Sequence, residues 1–257
     1  VGTQLVIRLP QGVRLTPLGV RLAAHADTMA RSLAAASEDV HEYLGEHRGR
    51  LRLGAFPTAG LGLMPEALTA LRHHHPSAEL SVVDLGPTEG SALVAEGELD
   101  LAIVGEYAEP LEQPPGVEHV HLVDDPIHAV MPDEHPKART GELRLREFAD
   151  DPWASAAANL PNRRQLDAVA AAEGIAANVP FESESYAVAQ AIVSAGVAVT
   201  FVPRLALTHA AGTVHQPMTE PNLFRRVHAA VPSDTRHCPL TPLFLRLLHG
   251  VRAEHLT

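Results

Sequence analysis

The chain has 257 residues, 46% of them hydrophobic and 20% charged, which excludes a disordered or collagenous polymer and allows one large domain or two modest ones. Its single cysteine, Cys238, excludes an intrachain disulfide and a zinc site built on several cysteines, and fits a reducing compartment. Net charge is −11, yet residues 1–52 hold seven Arg against five acids, so any polyanion contact is expected from the N-terminal end.

Arg8 and Arg14 interrupt the N-terminus before an apolar signal region forms, and the most apolar long stretch, residues 187–203, contains Gln190, Ser194, Gly196 and Thr200. A cytoplasmic protein is expected.

The first long pattern runs over residues 17–46. Thr16 is placed to cap a helix, Pro17 suits its first position, and Gly45 and Gly49 mark its stop. Leu18, Leu22, Ala26, Met29, Leu33, Ala36, Val40 and Leu44 recur at steps of three and four, which puts them on one apolar stripe. A rod of about 45 Å has little of its own to bury that stripe against. It is read as a dimerisation helix, with Leu22, Met29, Leu33 and Val40 as its contacts; the alternative is packing on the chain's own downstream domain.

From residue 51 the pattern changes to short strands and helices in alternation. Strands are predicted over 51–56, 79–85 and 99–104, with helices over 61–74 and 91–96 between them, the signature of a parallel sheet wrapped by helices. A Pro-rich stretch, 109–115, leads to two β-like runs at 117–123 and 127–131. A second α/β unit follows: helix 163–173, strand 178–181, helix 186–195, strand 197–202 and a β-like run 224–231. A closing helix is predicted over 239–254. No internal repeat stands out.

Several local patterns together resemble the LysR-type transcriptional regulators. Arg8-Leu9-Pro10-Gln11-Gly12-Val13-Arg14-Leu15-Thr16-Pro17 is similar to the wing that leads into that family's linker helix. Leu51-Arg52-Leu53-Gly54-Ala55-Phe56 with Thr58 and Leu63-Met64-Pro65 resembles its first effector-domain strand and helix start. His75-Pro76, Glu96-Gly97-Glu98-Leu99-Asp100, Asp125-Pro126-Ile127 with His135-Pro136, and Val193-Ser194-Ala195-Gly196 ending at Val202-Pro203 follow in the family's order. The departures are Val6, Gln11 and Ala198, where the family usually has Phe, a second basic residue and Gly.

The resemblance implies a two-lobed, periplasmic-binding-protein-like (type 2) α/β effector domain behind a linker helix. The implied division is a wing remnant at 1–16, a linker helix at 17–48 and an effector domain at 50–257. Its lobe I is about 51–122 with 226–257, and its lobe II about 123–225. The implied partners are a small-molecule effector, a second copy in a dimer or tetramer, and promoter DNA. Arg8 and Arg14 are expected at the DNA backbone. A helix-turn-helix would need roughly 50 residues before Val1; either the native chain starts there, or this is a stand-alone cytoplasmic binding and dimerisation module.

Ligands of two-lobed sensors sit between the lobes, at the carboxyl ends of parallel strands. Thr58, Ala59 and Gly60 follow the first strand and are candidate effector contacts, although the Thr58 hydroxyl would equally well cap a helix. Thr88 occupies the same place after the second strand. From the second lobe the candidates are Ser155, Glu182, Ser183 and Phe201, each with a plainer role as a turn or core residue. Glu182, facing the cleft, would favour a cationic or neutral effector.

Sixteen His raise a metal reading, above all His73-His74-His75 and the alternating His119 and His121. Three consecutive helical His point different ways, and His119 with His121 lacks a visible third ligand, so no metal and no cofactor is expected. The sequence has no Gly-x-Ser-x-Gly, P-loop, Gly-x-Gly-x-x-Gly or His-Glu-x-x-His pattern, and no enzyme activity is expected.

Overall fold

The computed structural model describes residues 3–9, 12–43, 49–139, 141, 143–233 and 238–255. The chain forms two compact units, Val1–Arg50 with Ser77–Glu79, and Leu51–Pro76 with Leu80–Thr257.

In the first unit β1 (Val6–Leu9) and β2 (Gly12–Leu15) pair antiparallel, with Val6 opposite Leu15 and Leu9 opposite Gly12. Helix α1 (Pro17–Tyr43) follows at once. Its start is fixed as the sequence suggests: the Gly19 N–H donates to Thr16 Oγ1 at 3.0 Å, and Pro17 needs no donor there. Gly19 has a steric reason as well, since a Cβ on it would lie 2.1 Å from the Leu5 carbonyl oxygen. Along the helix Leu22, Met29 and Leu33 are exposed, at 42%, 72% and 74%. The predicted end at 46 falls outside the described residues, as do the side chains of Val40 and Arg8; Arg14 is exposed.

The second unit is built on one mixed sheet. Its N-terminal part holds β3 (Arg50–Ala55), α2 (Pro57–Gly62), α3 (Met64–His74), β4 (Glu79–Asp84), α4 (Gly90–Ala95) and β5 (Leu101–Glu106). The long β6 (Val117–Pro132) leads to β7 (Leu143–Arg144), β8 (Trp153–Ser155), α5 (Pro161–Ala172), β9 (Phe181–Glu182) and α6 (Tyr186–Ser194). Then come β10 (Val199–Pro203), a short 3-10 turn at Arg204–Ala206, β11 (Thr213–Glu220), β12 (Phe224–Pro232) and α7 (Thr241–His255). Strand order is β4-β3-β5-β12-β6-β10-β8-β9, with β11 also on β6 and β7 on β11.

Several sequence expectations are corrected. The helix expected over 61–74 is two, because Pro65 lacks an N–H and sits in the first turn of α3, separating it from α2 at Leu63. The two β-like runs at 117–123 and 127–131 are one 16-residue strand. The sheet is not wholly parallel: β3 and β5 are parallel, as are β10, β8 and β9, but β12 and β6 run antiparallel through the middle. The strand expected at 178–181 is instead Phe181–Glu182, and β7, β8 and β11 were not foreseen.

The position of the site follows from how β6 changes partner. Residues from Val117 to Pro126 pair with β12, while Ile127 to Val130 pair with β10. Pro126 cannot donate to a ladder, so the switch falls where the backbone has least to lose. On either side lie separate apolar clusters. One contains Val94, Leu99, Val104 and Ala230; the other is centred on Phe148, Trp153 and Phe201, with Trp153 Nε1 donating to the Phe148 carbonyl at 2.8 Å.

Candidate functional site

At the switch point two charged side chains are 1% exposed: Asp125 on β6 and Arg225 on β12. Arg225 Nε donates to Asp125 Oδ2 at 2.8 Å, and Nη2 lies 2.8 Å from the same oxygen. The pair reaches into both parts of the sheet. Arg225 Nη2 donates to Thr58 Oγ1 at 2.8 Å, and the guanidinium lies 4.7 Å from the Phe56 ring centroid. Nη1 faces the Tyr107 hydroxyl at 3.5 Å on the same side, and on the other side Asp125 Oδ1 accepts from the Leu205 N–H at 3.1 Å.

Burial opposes the Arg225 charge, but the facing Tyr107, Asp125 and Tyr186 outweigh it and hold the guanidinium above its ordinary pKa. Burial pushes the Asp125 carboxyl up, against the pull of Arg225 and of the Leu205 and Arg204 N–H groups. Tyr186, pushed up chiefly by burial, stays a neutral phenol and accepts from Asn162 Nδ2 at 3.1 Å.

Beside this network is a small cavity of about 20 Å3, room for about one water molecule. Its polar lining is Tyr107, Ser155, Asn162, Gln165 and Tyr186; its apolar lining is Ile127, Leu166, Phe201 and Leu223. Tyr107 comes from the end of β5, Ser155 from the end of β8, Asn162 and Gln165 from the start of α5, and Tyr186 opens α6. These are the carboxyl ends of parallel strands and the helix starts beyond them, where ligands of α/β sheets collect. The lining has hydroxyls, amides and aromatic faces and no charge of its own. It can hydrogen-bond and stack on a small polar ring; it has neither a nucleophile with a paired base nor a cofactor cradle.

A model of the LysR substrate binding domain matches residues 44–253. The chain belongs to the LysR family. The regulator GltC of Bacillus subtilis is 26% identical over 232 residues, covering 89% of this chain and 76% of GltC. Among solved structures, HinK, a LysR family regulator from Pseudomonas aeruginosa, superposes with a TM-score of 0.70 at 22% identity, over 92% of this chain and 80% of HinK. The effector binding domain of QuiR in complex with shikimate gives 0.68 at 19% identity, over 82% of this chain and all of QuiR's domain. The fold is thus that of LysR effector-binding domains, periplasmic-binding-protein-like of type 2.

Of the candidate residues named from the LysR resemblance, Ser155 and Phe201 line the cavity. Thr58 does not cap α2, whose N-cap is Phe56; its hydroxyl accepts from Arg225 instead. Ala59 is fully buried in the core, and nothing lies within 4 Å of where a Gly60 Cβ would be. Thr88 is exposed and away from the cavity lining. Glu182 is 57% exposed and lies 3.9 Å from Arg163, and Ser183 faces Ser185 in the turn before α6; neither is in the lining.

Sequence reading missed Arg225, Tyr107, Asn162, Gln165 and Tyr186, and gave Asp125 no role. Only Arg225 left a signal: a charge at an inward position of a strand whose other inward residues, Val227 and Ala229, are apolar.

His119 and His121 are on β6, with their rings 6.2 and 5.5 Å from that of His228 on β12. Each is already engaged, His119 with Ser91 Oγ and His121 with Asp124 Oδ1, both at 2.8 Å. Burial depresses the pKa of His119 and of His228 despite nearby Glu106. Among the described residues no group of three or more His, Cys, Asp or Glu is placed to hold a metal ion, and no helix is long and apolar enough to cross a membrane.

Proposed function

We propose that this chain is the sensing and self-associating part of a cytoplasmic LysR-type regulator, which takes a small effector at the β6–β12 switch point and performs no catalysis. The observation that carries this reading is the cavity itself. Hydroxyl and amide groups from β5, β8, α5 and α6 converge on it beside a sealed Arg225–Asp125 pair that hydrogen-bonds to elements on both sides.

Lobe I would be about 51–122 with 226–257, and lobe II about 123–225. At about 20 Å3 the cleft is too small for a metabolite as it stands, so an effector must widen it, and it biases the regulator only by preferring one lobe arrangement over another. Dimerisation is assigned to α1 through Leu22, Met29, Leu33 and Val40, and promoter contact to the wing and to residues that would precede it.

Shikimate, which QuiR binds, is the first probe for the cleft, followed by a panel of small hydroxylated ring acids and their neutral analogues. Calorimetry should find a binder whose affinity falls at least about ten-fold in Asn162→Ala and Phe201→Ala. A binder indifferent to both changes removes the effector from this cavity. Met29→Glu with Leu33→Glu should convert dimer to monomer in light scattering; an unchanged mass removes α1 from the interface.

A further inference from the structure

A second pocket, of about 190 Å3, opens where β5, α5 and the loop before β12 meet. It is roughly nine times the volume of the first cavity, the scale of one small metabolite. It shares Tyr107, Gln165 and Leu223 with that smaller cavity but has what it lacks, two opposite charges, on Glu106 and Arg226.

These two residues sit directly opposite each other on β5 and β12. Arg226 Nη1 donates to Glu106 Oε1 at 2.6 Å, and the guanidinium lies 5.2 Å from the Phe224 ring centroid. Each keeps capacity to spare. Among the described residues Glu106 Oε2 accepts no hydrogen bond and lies 3.9 Å from His228 Nε2, and Arg226 Nε and Nη2 have no acceptor. Two amides add to this. Gln165 donates to the Phe224 carbonyl at 3.0 Å and keeps its oxygen free, while the Asn222 side chain makes no hydrogen bond to any described residue.

We propose that this pocket is a second ligand site, adjoining the effector cleft, and that it takes a small zwitterion of the free α-amino acid class. The charge pattern selects that class. An anion would meet Arg226 but be repelled by Glu106 a hydrogen bond away, a cation the reverse, and an uncharged ligand would use the spare hydrogen-bonding groups without complementing either charge. An ammonium and a carboxylate on one carbon present opposite charges side by side, as Glu106 and Arg226 do. The ammonium donates to Glu106 Oε2 and the Asn222 and Gln165 oxygens; the carboxylate accepts from Arg226 Nε and Nη2. Phe224, Val169 and Leu223 receive the side chain.

The test is a screen of the twenty free proteinogenic amino acids at millimolar concentration by saturation-transfer NMR, with calorimetry on any hit. At least one should bind. Its matched amine, lacking the carboxylate, and its matched acid, lacking the ammonium, should each bind at least about ten-fold more weakly. Glu106→Gln and Arg226→Gln should each lose at least about ten-fold in affinity. Melting curves of both variants without ligand separate a local effect from unfolding. No hit among the twenty, or equal binding by the acid lacking the ammonium, overturns the proposal, and neither result bears on the effector cleft.

Discussion

Arg225 and Arg226 are neighbours in sequence and opposites in circumstance. Strand alternation turns one inward and the next outward, so the same side chain is 1% exposed in Arg225 and 48% exposed in Arg226. Each faces a carboxylate, Asp125 in one case and Glu106 in the other, at 2.8 and 2.6 Å. By distance the outer pair is the tighter. By consequence it should be much the weaker, because water already solvates its arginine and reaches part of Glu106, whereas the inner pair has only its protein partners. Residue type and spacing therefore tell little about what an ion pair does; the side of the strand decides.

The largest expected effect comes from breaking the inner pair on one side. Arg225→Ala leaves the Asp125 carboxylate buried with only backbone donors and removes the donor to Thr58, and should cost about 3–5 kcal/mol in denaturant unfolding. Replacing both partners, Arg225→Met with Asp125→Leu, should cost clearly less than the single change, since no lone charge remains. If the double variant is as damaged as the single one, the network acts through shape rather than charge.

A second effect is set by pH and lies three residues along β6 from Asp125. His128, 9% exposed, has its pKa pushed down to about 4, first by burial and then by the charges of His215 and Arg204. The sign follows from proton binding. Between about 4 and 6.5 the unfolded chain holds a proton on this ring that the folded chain does not, so stability rises with pH across that window. It is complete above about 6.5 and is lost as pH falls to about 4, by an amount on the order of 3 kcal/mol. Unfolding midpoints of wild type and His128→Gln from pH 4 to 7 check this; parallel curves would remove His128 as the cause.

How much of this was legible beforehand differs between scaffold and site. The α1 cap at Thr16 and the start of the strand–helix alternation near residue 51 follow from local chemistry, and they fell close to their predicted places, whereas the helix break at Pro65 was missed. The fold followed from motif order. The site did not, because it is made by contacts between residues far apart in sequence: Arg225 meets Asp125 across 100 positions and Thr58 across 167. Thr58 shows the limit well. Its place after β3 marked it as polar and near the cleft, and a helix cap and a ligand contact were equally plausible; nothing local announced that a distant guanidinium would take its hydroxyl.

That hydroxyl supplies the third expected effect. Thr58→Val keeps shape and removes the acceptor for Arg225 Nη2, a hydrogen bond to a charged group, and should cost about 1.5–3 kcal/mol. Thr58→Ser, which keeps the acceptor, should recover most of it. Equal losses in the two variants would assign the effect to the methyl group instead.

The smallest effect tests the outer half of the comparison. Arg226 is 48% exposed and Glu106 18%, so the pair meets solvent mainly from the arginine side, and solvent-accessible pairs contribute about 0.2–1 kcal/mol. Arg226→Gln should therefore move the unfolding midpoint by no more than that, and by still less at high salt, where exposed charges are screened. Its stacking on Phe224 is retained in part by the glutamine stem. A loss as large as that of Arg225→Ala would mean that the two arginines form one coupled network through β12 rather than two independent pairs. Arg225→Ala combined with Arg226→Gln decides between them, because independent pairs add and coupled pairs do not.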